Sequence, residues 1–375
     1  MRNIKILHTA DIHIGEAQSF LGAIAEKRRF ETLLTFERII DLAKEKEVDI
    51  IAIAGDLFDS NDVDREFVNA VFGKIEQSQI PTVVALGNHD PLSSNSPFLQ
   101  LELPKNLHVF NKNDECITFE SLNLKVYGRS FADTYLKGEE SFPLSVDKNY
   151  VNIMVQHGEL KSDLSSDYNS ITPNFIKNSG MDYIALGHIH KRTPIGKMGE
   201  THFAYSGCPE GQGFDELDEK GVFIGEIGKG VCNLEFVPVS KRKHIHHKCD
   251  ISDFANIAEI CEKIINEFKN EYGDEYTQNL YKIELIGEIL PDVKISTAEI
   301  SSRLEDKLYF VKVKDSTSLK LDLDALTKEL SLKGIFAKKM LEKMADAEED
   351  EKKLYEKALK IGLKAFIGEV KYDED

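Results

Sequence analysis

The sequence predicts an α/β protein: residues 1–240 form a sandwich of layered sheets, followed by a small α+β domain and a C-terminal helical segment. Three observations carry this reading. Short, nearly continuous apolar runs alternate with helical patterns through the first half, as in sheets covered on both faces. A strand-rich stretch follows, and beyond residue 324 the pattern is purely helical. At 375 residues the chain also exceeds one ordinary domain and fits two or three.

The elements follow in order. Ile4 to Ala10 is a short strand, then a loop and a helical stretch from Lys27 to Glu47. Val48 to Ala54 is almost wholly apolar, the mark of a strand with no solvent face. A helix over Asp64 to Gln77 leads to a third buried strand over Pro81 to Leu86. Further strands are expected at Leu124 to Tyr127, Val151 to Gln156, Tyr183 to Leu186, His202 to Tyr205 and Val222 to Ile227. A boundary falls near Val239. The second domain, 241–315, reads as a basic strand (Lys241 to Cys249), an acidic amphipathic helix (Asp253 to Tyr272), a strand (Leu280 to Gly287), a short helix (Thr297 to Asp306) and a strand (Leu308 to Val313). Residues 316–323 read as a linker, and 324–375 as helices. Leu326, Leu330, Phe336, Met340 and Met344 line one face of the first, and Asp346 with Glu349 resembles a capping box opening the second.

Composition excludes several classes. Hydrophobic residues at 41% and charged residues at 30% describe a chain able to bury a core. No run approaches the roughly 20 apolar residues of a membrane-spanning helix, and the N-terminus reads as a strand rather than a signal peptide. Five scattered cysteines without a C-x-x-C pair argue against a disulfide framework or a structural zinc site, so a reducing cytoplasm is expected. The net charge of −18 argues against a wholly basic nucleic-acid-binding surface.

The chemistry is concentrated at strand ends. The first strand leads to Asp11-Ile12-His13, the second to Gly55-Asp56-Leu57-Phe58-Asp59, and the third to Gly87-Asn88-His89-Asp90. His157 closes a later strand, and Gly187-His188-Ile189-His190 closes another. Ligands of open α/β sheets sit at the carboxyl ends of strands, so the five segments should converge. Asp11 and His13, like His188 and His190, are spaced by two, which in extended chain aims both side chains one way. Carboxylates, an amide and imidazoles without a thiolate suit Mn, Fe or Zn. Any one of these segments alone would pass for turn chemistry; all five in this order do not.

These segments resemble the five motifs of the calcineurin-like metallophosphoesterases, over residues 4–240. Leu7 to Gly15, Tyr127 to Phe131 and Leu186 to His190 resemble the SbcD-type DNA repair nucleases. Tyr205-Ser206-Gly207 and Gly211 to Glu216 are similar to the bacterial YhaO-like branch, with Ser206 where Pro is usual. The resemblance implies a four-layer α-β-β-α metallophosphoesterase sandwich with a small α+β capping domain. It implies one Mn²⁺, or another divalent ion, on Asp11, His13, Asp56 and His190. A second would sit on Asp56, Asn88, His157 and His188, with Asp56 bridging. His89 would be the imidazole that binds no metal, with Asp59 or Asp90 behind it. His8 is expected to be packed or to back the site, and His108 and His202 to be structural or on the surface.

For DNA contact the candidates are Lys241, Arg242 and Lys243, in a segment without acidic residues. The alternatives are an edge strand guarded by charge or, from His244, His246 and His247, a metal tract. The acidic helix after it should face outward. The terminal helices either fold back on the small domain or dock a partner. The resemblance implies docking to the coiled coil of an SbcC-like ABC ATPase, and a homodimer through helices near Asp64 to Gln77 and Pro97 to Leu101. The expected function is thus a two-metal, Mn-dependent DNA nuclease in DNA repair, a 3′–5′ exonuclease on duplex ends and an endonuclease on single strands. Its expected location is the cytoplasm, on the nucleoid when DNA-bound. The rival reading is a small-molecule phosphodiesterase or phosphomonoesterase on the same scaffold.

Overall fold

A computed structural model describes residues 2–138, 146–290, 293–320 and 326–367. The chain divides into two compact units, residues 1–244 and 245–375.

In the first unit the chain runs β1 (Ile4–Thr9), α1 (Ala25–Glu45), β2 (Ile50–Ile53), α2 (Arg65–Ser78), β3 (Thr82–Val84), α3 (Pro97–Gln100) and β4 (Leu107–Val109). It continues through β5 (Glu115–Phe119), β6 (Leu124–Arg129), β7 (Val151–His157), β8 (Glu159–Leu160), β9 (Ser170–Ile171), α4 (Pro173–Asn178) and β10 (Tyr183–Gly187). It ends with β11 (Gly196–Met198), β12 (Thr201–Tyr205), β13 (Gly221–Gly228) and β14 (Val231–Pro238). Two six-stranded sheets result, ordered β14-β13-β1-β2-β3-β4 and β11-β12-β10-β7-β6-β5. β1 to β4 are mutually parallel, as are β6, β7, β10 and β12, so both sheets present their carboxyl ends together.

Side-chain alternation explains the apolar runs. On β2, Ile51 and Ile53 join the core beneath α1 and α2, where Phe36, Ile39, Val71 and Ile75 pack. Ile50 and Ala52 point the other way, into a core shared with Val126, Ile153, Val155 and Ala185 of the second sheet. The opposite face of that sheet buries Met154, Ile184 and Leu186 against Ile176 of α4. This is the expected four-layer α-β-β-α sandwich. At the ends of the strands the layers approach tightly at Gly187, where a Cβ would strike the Ala54 carbonyl oxygen and lie 2.8 Å from Ala10 Cβ.

The second unit comprises β15 (His244–Asp250, opening on the last residue of the first unit), α5 (Ile257–Tyr272), β16 (Leu280–Ile286), β17 (Glu288–Ile289), α6 (Thr297–Glu305), β18 (Phe310–Asp315) and β19 (Ser318–Leu319). Its sheet is ordered β15-β16-β18. α5 buries Ile260, Cys261, Ile264, Ile265 and Phe268 at helical spacing against Tyr281 and Ile283, while Glu259 and Glu262 are exposed. The segment expected as a linker is partly ordered otherwise. Ser318–Leu319 pairs in parallel with Glu288–Ile289, and Ser318 and Lys320 donate their N–H groups to Gly287 and Ile289. Residues 321–323 of that linker and the expected start of the tail at 324 lie outside the described residues.

The tail helices span Leu332–Ala345 and Glu349–Ile367. Leu326, Ala337, Leu359 and Leu363 bury one another, flanked by Phe336, Met340 and Met344. Leu330 departs from the expected stripe and is fully exposed. Ser331 caps a fresh helix by accepting the Gly334 N–H, which leaves Leu330 in the turn. Asp346 likewise closes the first helix instead of opening the second.

Candidate metal centre

Each functional side chain sits one to six residues past a parallel strand or at its last residue. Asp11 and His13 follow β1; Asp56 and Asp59 follow β2; Asn88 and His89 follow β3; His157 ends β7; His188 and His190 follow β10. Four of these residues hold left-handed backbone: Asp11 (φ 52°), His13 (φ 50°), Asp56 (φ 49°) and His188 (φ 101°). Such strain at non-glycine residues persists only where the surroundings over-determine it, and it gathers at functional sites. Here the turns lace together. Asp11 N–H donates to Gly55 O, and Ile12 and His13 both donate to Asp56 O at 2.8 and 3.0 Å. The fully buried Asp90 carboxylate accepts the N–H groups of Leu57 (2.8 Å), Phe58 (3.1 Å) and Gly87 (2.9 Å), tying the second turn to the third.

The donors form two adjoining sets. Asp11, His13 and His190 place ligand atoms within 4.8 Å of one another, and so do Asp11, Asp56 and His157. His157 Nε2 stands 3.0 Å from Asn88 Oδ1 and 3.3 Å from Asp56 Oδ2, and the same Asp56 oxygen is 3.7 Å from His13 Nε2. Asp11 is common to the two sets, and Asp56 reaches from the second toward His13 of the first. Gly55 makes room for this, since at φ 92° its Cβ would strike the His157 ring. His188 stands beside them. Its ring packs on His157 and Tyr168, with centroids 5.2 and 4.9 Å apart, and it joins neither set of close donors among the described residues.

Proton placement shows what the site accommodates. His13 Nδ1 faces Asp59 Oδ1 at 3.3 Å, and His190 Nδ1 donates to Glu216 Oε1 at 2.6 Å. With both Nδ1 protons engaged, the two Nε2 lone pairs converge on one another at 3.2 Å. His157 Nδ1 donates to Ala54 O at 2.9 Å, which leaves its Nε2 for Asn88 and Asp56. Converging lone pairs from N and O donors fit a divalent cation and fit little else.

The titrating groups perturb one another strongly. Burial, with Asp56 close by, raises the Asp11 carboxyl. Burial would raise Asp56 too, but His157 and His13 outweigh it and hold Asp56 well below the usual carboxylate range. Burial lowers His157, and the Asp56 and Asp11 charges overcome this to lift it to about 9. Burial beside His157 lowers His188 to about 4. His89 is raised to about 9, first by its hydrogen bond with Asp59 and despite its partial burial. Its Nδ1 lies 3.1 Å from Asp59 O and 3.6 Å from Asp59 Oδ1.

Of the two carboxylates considered behind His89, Asp59 is in contact and Asp90 is occupied with backbone. His8 is fully buried, bonded to Tyr183 Oη and Leu186 O. His108 faces Glu115 at 3.3 Å, and His202 lies half-buried on β12. Beside Ser206, the Tyr205 hydroxyl donates to Gly158 O and accepts the Leu160 N–H, bracing the chain just after His157. Arg242 departs from the expectation of a DNA contact. It is 6% exposed and its guanidinium is taken up by Glu31, at 2.7 Å from Nε and 2.5 Å from Nη2. Lys241 Nζ lies 3.2 Å from Glu31, and Lys243 Nζ 3.1 Å from Glu219. Glu216 was missed as a site residue. Its signal was only its place at the end of the Gly211 to Glu216 motif.

The fold and these donors define a metal-binding hydrolase of phosphate esters. The model of the calcineurin-like phosphoesterase family matches residues 4–192, just over half the chain, and the protein belongs to that family, whose members use divalent metals. It is similar to the uncharacterized metallophosphoesterase YhaO of Bacillus subtilis, 27% identical over 250 residues, 63% of this chain and 60% of the relative. It is also similar to the DNA double-strand break repair protein Mre11 of Methanopyrus kandleri, 25% identical over 263 residues, 63% of this chain and 57% of that one. A subunit of the nuclease SbcCD from Staphylococcus epidermidis is 25% identical over 301 residues, 72% and 77% of the two chains. The matched region spans about three fifths of the first two relatives' length. No described helix is long and apolar enough to cross a membrane.

Proposed function

We propose that this protein is a two-metal, Mn²⁺-dependent DNA nuclease, a 3′–5′ exonuclease on duplex ends and an endonuclease on single strands, working with an SbcC-like coiled-coil ABC ATPase in DNA repair. The observation that carries the reading is the meeting of two donor sets at the buried carboxylates Asp11 and Asp56, with a charged His89 beside them. Asp11, His13, Asp56 and His190 would hold one ion, and Asp56, Asn88, His157 and His188 the other. When bound, the two ions supply Lewis acidity and an activated water for in-line displacement at phosphorus.

The remaining work belongs to the chain's own groups. Asp59 keeps a proton on His89 Nδ1, so the imidazolium offers its Nε2–H to the phosphate and then to the departing oxygen. The Asp59 carboxylate also orients His13 while its backbone carbonyl faces His89 Nδ1, so one residue sets both a ligand and the proton donor. Lys241 and Lys243, each facing a glutamate but partly exposed, are the phosphate contacts the reading retains; Arg242, buried against Glu31, is not among them. DNA as substrate is supported by relatives named for nuclease and break-repair activity. Docking of the ATPase is supported by apolar side chains that the tail helices leave exposed, namely Leu332, Ile335, Leu354, Ile361 and Phe366. At a net charge of −18, binding to DNA should be weak and salt-sensitive without the partner.

The test is end-labelled linear duplex with Mn²⁺, comparing wild type, Asp56→Ala and His89→Ala. Asp56→Ala should lose metal and activity together, whereas His89→Ala should keep metal and lose about 10²–10⁴-fold in turnover. Hydrolysis of nitrophenyl phosphodiesters with no DNA cleavage would instead assign a small-molecule phosphodiesterase.

A further inference from the structure

The loop between β12 and β13 carries the Gly211 to Glu216 motif, which the hydrolytic chemistry leaves without a role. Its last side chain reaches the metal centre from behind. Glu216 Oε1 accepts the His190 Nδ1–H at 2.6 Å. Its Oε2 accepts the Gln212 N–H at 3.0 Å and the Cys208 Sγ–H at 3.1 Å. Lys220 Nζ lies 3.6 Å from that oxygen and donates to the His190 carbonyl at 3.2 Å. The carboxylate is thus held through Oε2, which leaves Oε1 for the imidazole.

The loop is anchored in turn. Glu210, 3% exposed, accepts from Arg28 Nη2 at 2.7 Å, Thr35 Oγ1 at 2.7 Å and the Lys241 N–H at 2.9 Å. Arg28 also donates to Gly211 O at 3.1 Å. A buried charged network rooted in α1 therefore fixes the strap whose far end grips His190.

A neutral imidazole carries one proton, and the partner of one nitrogen decides which nitrogen is left as a ligand. A carboxylate on the far nitrogen also raises ligand basicity and fixes the ring plane. We propose that Glu216 is a positioning residue of the metal centre, selecting the His190 tautomer that offers Nε2 and holding the ring through a loop anchored at Glu210. The inference rests on the metal-centre reading and is independent of the substrate. His190, Cys208 and Glu216 also lie close enough to be considered as an ion site of their own. The 2.6 Å contact leaves no space for an ion between Nδ1 and Oε1, and Oε2 is filled by N–H and S–H donors.

The experiment titrates the metal-free full chain with Mn²⁺ by calorimetry, with Mn²⁺ electron paramagnetic resonance counting bound ions. Wild type should take up two. Glu216→Ala should weaken one of them by about 10–100-fold and leave the other unchanged. Glu216→Gln, which keeps an acceptor oxygen, should cost about 3–10-fold, and it carries the test if the alanine variant does not fold. In a His190→Ala background, Glu216→Ala should add nothing. Affinity within twofold of wild type in both Glu216 variants overturns the proposal, as does a further loss in the His190→Ala background. A third Mn²⁺ that vanishes with Glu216→Ala would make the trio an ion site and also overturn it. Failure of the wild type to bind two ions would sink the metal-centre reading itself, and the proposal with it.

Discussion

Replacing Glu31 with Gln probes the buried network beneath the strap. Glu31 is 2% exposed and meets Arg242 through two hydrogen bonds, Arg28 Nη1 at 3.3 Å and Lys241 Nζ at 3.2 Å. Burial would raise its carboxyl, but the Arg242 hydrogen bonds and charge outweigh burial and bring it from 4.5 to about 2. A fall of that size is worth about 3 kcal/mol of folding stability. Breaking a buried ion pair from one side costs about 3–5 kcal/mol by an independent route, so the two figures agree in order. Because the folded value is depressed, the contribution is complete above the ordinary 4.5 and disappears as pH falls toward 2. Urea unfolding of the metal-free protein, followed by far-ultraviolet circular dichroism, should therefore show Glu31→Gln weaker by about 3 kcal/mol at pH 7 and by roughly half that at pH 3. Other carboxylates titrate alike in both proteins, so the difference isolates Glu31. A gap below about 1 kcal/mol at pH 7, or one that does not narrow at pH 3, would refute the reasoning.

Three further outcomes are expected. Gly55→Ala forces a Cβ into left-handed backbone and against the His157 ring, so it should lower thermal stability by about 1–3 kcal/mol and weaken Mn²⁺ binding at least about tenfold; wild-type values in calorimetry for both would count against the placement of His157. Asp59→Asn removes the leading cause that holds His89 at about 9. A raised imidazole keeps its proton at neutral pH and loses it as pH climbs, so the alkaline limb of kcat should move down by about one pH unit or more. A limb that stays in place would mean that another group donates the proton. Leu332→Asp with Ile335→Asp puts charge on exposed apolar positions of the tail and should weaken ATPase binding at least about tenfold in pull-down titrations. Cleavage of a small phosphodiester should be unchanged; undiminished ATPase binding would exclude that face.

Segments tied to strand ends were legible from sequence because the cause is local. A short apolar run such as Val48 to Ala54, set between helical patterns, reads as a strand covered on both sides, and the polar residues after it then fall at the sheet's carboxyl edge, where Asp56 is found. Net charge was less informative. Much of the negative excess lies in residues 51–100, which include Asp56, Asp59 and Asp90, and in 251–300, which include the outward face of α5. Total charge does not reveal which carboxylates face a partner and which are used within the fold.

What the sequence alone determined is the list of donors and the edge on which they gather. Strand periodicity and glycine placement encode both within a few residues. Tertiary structure decided everything that joins distant parts of the chain. It set Asp59 behind both His13 and His89 while giving Asp90 three backbone N–H groups to hold. It withdrew Arg242 into an ion pair with Glu31 and brought Glu216 onto His190. The physical reason is the same in each case. A carboxylate or guanidinium takes the partner that packing leaves within hydrogen-bond reach once water is excluded, and packing is a property of the whole core.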